Sequence, residues 1–227
     1  MIYLNYILNY YKENGIVNMF KRLNGDKGFM ETVKVFFLNI DSLYGKEEYL
    51  FSVLPTSRIN KANGFVNLKD RLLSLAAGYL LYRYIGDCFV DEFGKPRSRN
   101  AFFSIAHSEK LAVLAVSKEH EIGIDIEKIR NGEDDTVIGA CLNESELKSR
   151  AGENPLALFV AKESLAKADG CGLREDVKNI PAFPLDGEVV YKDKKYIRHT
   201  LNFEGYVTSV TLEGKDFVIK TEESYVI

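Results

Sequence analysis

From Met30 onward the hydrophobic residues follow two rhythms. METVKVFFLNID alternates and predicts a strand around Val33–Leu38. In TSRINKANGFVNLKDRLLSLAAGYLLYRYIG, Leu72, Leu75, Ala76, Tyr79, Leu80 and Arg83 recur at three- and four-residue spacings. That predicts a core-facing helix ending near Gly86. DEFGKPRSRN reads as a polar turn-rich loop, and AFFSIAHSEKLAVLAVS as two strands around a turn. EIGIDIEKIR is a further strand, which NGEDD breaks. A helix over about 136–150 and a longer one in PLALFVAKESLAKADG, stopped by Gly170 and Gly172, follow. EVVYKD, KYIRHTLNF, YVTSVTLEG and DFVIKTE then supply hairpin strands to the end. The order is that of an α+β protein of two similar half-domains, a pseudo-dimer. Each half is a small, mainly antiparallel sheet packed with helices. The halves fall at 30–121 and 122–227, with no low-complexity linker between them. Residues 1–29 lack an apolar signal core and a small-residue cleavage site. They read as a loosely attached N-terminal extension or as a start placed too early.

Composition narrows the classes. With 46% hydrophobic and 28% charged residues, the chain is an ordinary globular sequence of 227 residues. Its net charge of −3 provides no global basic field, so neither nucleic acid nor a membrane is an expected partner. LSLAAGYLLY and LAVLAV are too short to span a bilayer. Cys88, Cys141 and Cys171 are widely spaced, and His107, His120 and His199 form no zinc-ligand spacing with them. Reduced thiols in a cytoplasmic monomer are the expectation.

Two stretches carry chemistry. In GIDIE, Ile124 and Ile126 take one strand face, while Gly123, Asp125 and Glu127 take the other. The two acids project together, roughly 6.5–7 Å apart. This is either a solvated edge-strand face or a site for a hard divalent cation, since aligned carboxylates repel unless a cation lies between them. Magnesium binds one or two carboxylates and keeps positions for water and phosphate. Gly123 leaves room on that face for something bulky. In FVAKESLAKADG, Glu163 and Lys167 are one helical turn apart, with Phe159 one turn earlier. This is either a surface ion pair or a pair at the rim of the core. The narrow polar width left by Phe159, Val160, Leu165 and Ala168 favours the rim.

DEFGKP, FFSIAHSEKLAVLAV, IGIDIEKIR and FVAKESLAK, in that order, resemble the phosphopantetheinyl transferase superfamily. The likeness is to its larger type of two fused half-domains, which includes the surfactin-synthetase-activating enzyme. It covers roughly residues 30–225, with GIDIE and KES-x-x-K the most diagnostic motifs. The resemblance implies an enzyme of the holo-[acyl-carrier-protein] synthase type. Such an enzyme transfers the 4'-phosphopantetheine arm of coenzyme A to a serine of an acyl- or peptidyl-carrier protein and releases 3',5'-ADP. It also implies that Asp125, Glu127 and Glu163 hold Mg²⁺, with Mn²⁺ as the alternative ion. Glu163 doubles as base for the acceptor serine, and Lys167 contacts the pyrophosphate. Lys95 and His107 match residues that contact coenzyme A, Arg58 and Lys61 match a basic pair near its 3'-phosphate, and Ser74 a small hydroxyl there. The sequence departs from the family pattern at Ala106, where a serine is usual, and at Phe159, where a tryptophan is usual. The helix at 136–150, with Leu142, Leu147, Lys148 and Arg150, is the expected carrier-docking surface. Two rival functions use the same residues. One is a magnesium-dependent phosphohydrolase of nucleotide-like substrates; the other is a non-catalytic module that binds carrier protein or coenzyme A.

Overall fold

The computed structural model describes residues 30–92, 94–130, 139–149, 153–172 and 175–226. The expectations for 1–29, for NGEDD and for Arg150 lie outside the described residues. Strand β1 (Glu31–Asn39) runs through a short 3-10 turn into α1 (Glu47–Val53), α2 (Thr56–Asn63) and α3 (Leu68–Tyr84). A two-residue ribbon, β2 (Phe89–Val90) with β3 (Pro96–Arg97), forms inside the predicted polar loop. The hairpin β4 (Phe102–Ser108) and β5 (Leu111–Ser117) leads to β6 (Ile122–Lys128). The rest comprises α4 (Glu144–Ser149), α5 (Pro155–Asp169), β7 (Gly187–Tyr191), β8 (Lys194–Phe203), β9 (Tyr206–Glu213) and β10 (Phe217–Glu223).

The strands form two four-stranded sheets, ordered β10-β1-β5-β4 and β6-β9-β8-β7. Every pairing is antiparallel except β1 with β10. The architecture is therefore α+β with mainly antiparallel sheets, as the patterning predicts. Strand β10 departs from the hairpin expectation: it leaves β9 and lies parallel to β1, Glu31 opposite Phe217 and Phe37 opposite Glu223. Phe217 is thereby 1% exposed, in the core shared by the two sheets.

Alternation along β1 explains the layering. Phe36 and Leu38 face α3, together with Leu72, Leu75 and Tyr79. Val33, Val35 and Phe37 face the second sheet, against Ile122, Ile124 and Ile126. The layers thus run helix, sheet, sheet, helix, with α5 outermost against β7 and β8 through Leu165, Val189 and Tyr196. Helix α3 is enclosed more fully than its stripe predicts, for residues 72 to 81 are all buried. Its start is fixed by Asn67, whose side chain accepts the Lys69 N–H at 2.8 Å. Gly86, at φ 79°, closes it, and Arg83 is exposed rather than core-facing. Helix α5 begins with Asn154 capping the Leu156 N–H and Pro155 in the first turn, and Gly170 at φ 78° ends it.

Strands β4 and β6 are the facing edges of the two sheets. Instead of a backbone ladder, serine hydroxyls join them: Ile124 N–H donates to Ser104 Oγ and Lys128 N–H to Ser108 Oγ, each at 3.1 Å. His107 on β4 and the acids on β6 are held on opposite sides of this seam.

Candidate functional site

The seam and α5 assemble the site. Ile122, Ile124 and Ile126 are each fully buried between the sheets, which turns Gly123, Asp125 and Glu127 toward α5. The space at Gly123 is filled by the helix itself. A Cβ there would lie 1.9 Å from the Ser164 carbonyl oxygen and 2.5 Å from the Ala168 nitrogen. The glycine therefore lets the backbone of α5 rest on β6. Small hydroxyls line the rest of the contact: Ser164 Oγ bonds Ser209 Oγ at 3.0 Å and Thr211 Oγ1 at 2.8 Å.

This approach brings the two motifs together. Lys167 Nζ donates to Asp125 Oδ1 at 2.6 Å and to the Ile124 carbonyl at 3.1 Å. Asp125 of GIDIE thus has a neighbouring base, supplied by a segment 42 residues further on. Asp125 is 7% exposed, so the strand face is not solvated. Its Oδ2 is buried and accepts no hydrogen bond. Glu127 accepts a 2.7 Å hydrogen bond from Ser108 Oγ. Burial pushes the Glu127 carboxyl up; Ser108 opposes this and the Asp125 charge adds to it. Burial likewise raises Glu163, with Asp125 adding to the effect and Lys167 opposing it. Both Glu163 and Lys167 are half-buried, at the rim of the core as their spacing suggests.

The donor set fits a hard divalent ion. Three acids share one electrostatic neighbourhood, two of them, Glu127 and Glu163, are raised by desolvation and by the Asp125 charge, and one buried oxygen is unsatisfied. Lys167 partly offsets that charge. The three carboxylates stand wider apart than the one ligand-type trio that gathers within 4.8 Å among the described residues, Glu31, Glu119 and His120.

His107, at the end of β4, has an exposed face but is crowded enough that burial lowers its pKa. The Lys167 charge adds to this, Asp125 opposes it, and Lys61 on α2 adds a smaller effect. His107 and Lys61 therefore belong to the same neighbourhood as the acids. Glu109, in the turn after His107, is held by Lys69 from the start of α3 and by Arg130 from beyond β6. Arg58, half-buried on α2, stacks its stem toward Gly78 on α3. Ser74 is buried within α3.

Lys95 is placed differently from a free anion-binding lysine. Its Nζ donates to Glu121 Oε2 at 2.8 Å and to the Lys167 carbonyl at 2.7 Å, and it is 13% exposed. Burial lowers its pKa against the opposing pull of Glu121. Arg97 also pairs with Glu121 and with Asp91. Lys95 thus ties the loop to the last turn of α5, with two of its three donors engaged.

Sequence spacing missed the support beneath α5. Lys162, beside the catalytic candidate, is fully buried. It pairs with Glu146 on α4 at 2.7 Å and donates to the carbonyls of Ile180 at 2.6 Å and Val177 at 3.1 Å. Arg198 on β8 is equally buried and donates to the carbonyls of Ala182, Pro184 and Pro181. Burial pushes Arg198 down to about 9, so the guanidinium is still charged at neutral pH. The predicted docking helix needs correction. Leu142 is 2% exposed and packs with Leu158 and Ala182, because the segment bearing it closes over α5. Leu147 and Lys148 are exposed.

Residues 121–221 match the family model of the 4'-phosphopantetheinyl transferase superfamily. No curated protein matches the chain. The matched segment contains Asp125, Glu127, Glu163 and Lys167 but ends before β10 is complete.

Proposed function

With residues 121–221 a domain of the 4'-phosphopantetheinyl transferase superfamily, we propose that the chain transfers the arm of coenzyme A to a carrier-protein serine. The observation that carries this reading is the buried Asp125 carboxylate. One oxygen is bound by Lys167 and the other is unsatisfied, with Glu127 and Glu163 raised beside it. Such a cluster attracts a divalent cation and, through it, a diphosphate.

Asp125, Glu127 and Glu163 are the residues that would hold Mg²⁺ or Mn²⁺; when bound, the ion offsets the negative charge of a diphosphate and its leaving oxygen. Lys167 keeps one ammonium proton beyond its two observed bonds and directs it at the leaving phosphate. Glu163, raised by burial toward the working pH, takes the proton of the acceptor serine. The serine oxygen then bonds the phosphorus that carries pantetheine, and the bond from that phosphorus to 3',5'-ADP breaks. His107 and Lys61 flank the acids on the first half-domain and, with Arg58, are assigned to the coenzyme phosphates. Lys95 acts here by holding the last turn of α5, and its remaining donor is the one offered to coenzyme A. Leu147 and Lys148 remain the exposed part of α4 assigned to the carrier protein.

The test is the intact mass of several apo-carrier proteins incubated with enzyme, coenzyme A and Mg²⁺. A gain of one phosphopantetheine arm is expected, and Asp125→Asn should reduce its rate by at least about a hundredfold without altering the fold. Turnover of coenzyme A without an acceptor would instead identify a hydrolase. No gain on any carrier and no turnover would leave a binding module.

A further inference from the structure

At the opposite end of β6 from the acids, the turn between β5 and β6 folds around a single carboxylate from the start of β1. Glu31 Oε1 accepts from Ser117 Oγ at 2.6 Å, Lys118 N–H at 2.9 Å and Glu119 N–H at 3.4 Å. Ser117 Oγ in turn accepts the His120 N–H at 3.0 Å. These donors lock the Glu31 side chain, which is 7% exposed. Its second oxygen, Oε2, is buried and accepts no hydrogen bond. It points at His120 Nε2, 3.8 Å away, and Glu119 Oε2 lies 3.9 Å from that same nitrogen.

These separations matter. At 3.8 and 3.9 Å the imidazole donates a hydrogen bond to neither acid, and a hydrogen-bonded ion pair would close to about 2.8 Å. Ligand atoms bound tetrahedrally at about 2.0–2.1 Å lie roughly 3.3 Å from one another, a gap that small rotations of Glu119 and His120 close. One imidazole and two carboxylates form a ligand set of borderline softness, suited to zinc more than to magnesium. The hydrogen bonds to Glu31 Oε1 are the kind that orient a ligating carboxylate through its other oxygen.

We propose that Glu31, Glu119 and His120 form a second cation site for Zn²⁺, separate from the transfer centre. His120 and Asp125 are five residues apart, about 16 Å of extended chain. The site opens to solvent on the Glu119 side, where a water completes the coordination. It joins the first strand of the fold to the β5–β6 turn, so the bound ion clamps the entry of β1. Lys215 Nζ, 3.6 Å from Glu119 Oε2, is the charge that competes with it.

Equilibrium dialysis of the full chain against Zn²⁺ tests this in an Asp125→Asn, Glu127→Gln, Glu163→Gln background, which removes the acids of the transfer centre. One zinc per chain is expected. His120→Ala should weaken binding at least about thirtyfold, as loss of one of three protein ligands requires. Lys215→Met should tighten it about threefold, by removing a like charge near the ion. In the unaltered background, His120→Ala should leave the rate of carrier modification with Mg²⁺ unchanged. Because Glu31→Gln loosens the turn as well, His120→Ala is the deciding variant. Zinc binding that is absent, or equally tight in His120→Ala, overturns the proposal and leaves a histidine between two acids with no metal role.

Discussion

At the scale of single residues, an environment rather than an identity sets each role. Asp125 and Glu127 were legible because a strand places alternate side chains together, and Glu163 with Lys167 because a helix does so at four. That Asp125 and Lys167 meet was not legible, since nothing in either segment encodes the close approach at Gly123. The burial of Lys162 was not legible for a related reason. A lysine beside a glutamate on a helix ordinarily points to water, and only the tertiary fold supplies Glu146 and two carbonyls to bury it. Asp169, at the end of α5, gives a prediction at this scale. Burial pushes its carboxyl up, but hydrogen bonds from Lys192 at 3.1 Å and Tyr196 at 3.0 Å outweigh that and hold its pKa below the ordinary value. A group depressed in the folded state contributes stability above its unfolded pKa of about 3.9, lost as pH falls through the folded value. Asp169→Asn should therefore cost about 1–2 kcal/mol in urea unfolding at pH 7. The difference should shrink steadily once the pH is taken below about 4. A gap constant from pH 7 to pH 3 would mean that the charge of Asp169 contributes nothing.

Among the elements, β6 and α5 decide the site, and their contact is tight enough to make two predictions. Gly123→Ala puts a methyl within 1.9 Å of the Ser164 carbonyl, so α5 must move away from β6. Overpacking of this kind costs about 1–3 kcal/mol or more. Because Glu163 and Lys167 ride on α5, the rate of arm transfer should fall further than stability does, by about a hundredfold for a displacement near 1 Å. Normal transfer by a folded Gly123→Ala protein would show that the helix position does not control the chemistry. Lys162 supplies the second. Lys162→Met leaves Glu146 buried and charged, without its ion-pair partner and held by the N–H groups of Asn143 and Ala182 and the more distant charge of Arg198, and should destabilise by about 3–5 kcal/mol. Adding Glu146→Gln should recover most of the loss, because a neutral amide is less costly to bury. A double variant no better than the single one would show that α5 depends on the carbonyl bonds of Lys162 and not on its charge. The elements themselves were largely readable: β1, α3, the β4–β5 hairpin, β6 and α5 all lie where periodicity and caps place them. The direction of β10 was not. Its alternation is that of any hairpin strand, and its parallel partner lies almost two hundred residues earlier.

For the whole molecule, that crossing strand bears on what a domain is here. We propose that 30–121 and 122–227 are half-domains that fold as one unit, because the second half returns a strand to the first. Strand β10 pairs with β1 along its length and contributes Phe217 to the core between the sheets. Beyond it, Ser224 N–H donates to the Phe37 carbonyl at 2.7 Å, and Val226 enters the core beneath α3. Lys46 donates to the Val226 carbonyl, and Tyr84 Oη to Ser224 Oγ at 3.1 Å. A chain ending at Gly214 loses all of these together. The missing Phe217 alone is a cost of about 3–5 kcal/mol, a large share of a typical domain's stability of roughly 5–15 kcal/mol. The edge of β1 would also be left open to pair with other chains. The truncated protein should therefore lose its cooperative thermal transition, aggregate at micromolar concentration and show no carrier modification. A peptide of residues 215–227 added in trans should restore a measurable part of both, since an exposed edge accepts an added strand through main-chain hydrogen bonds. Retention of the full transition by the truncated chain would show instead that the half bearing Asp125, Glu163 and Lys167 stands without the returned strand.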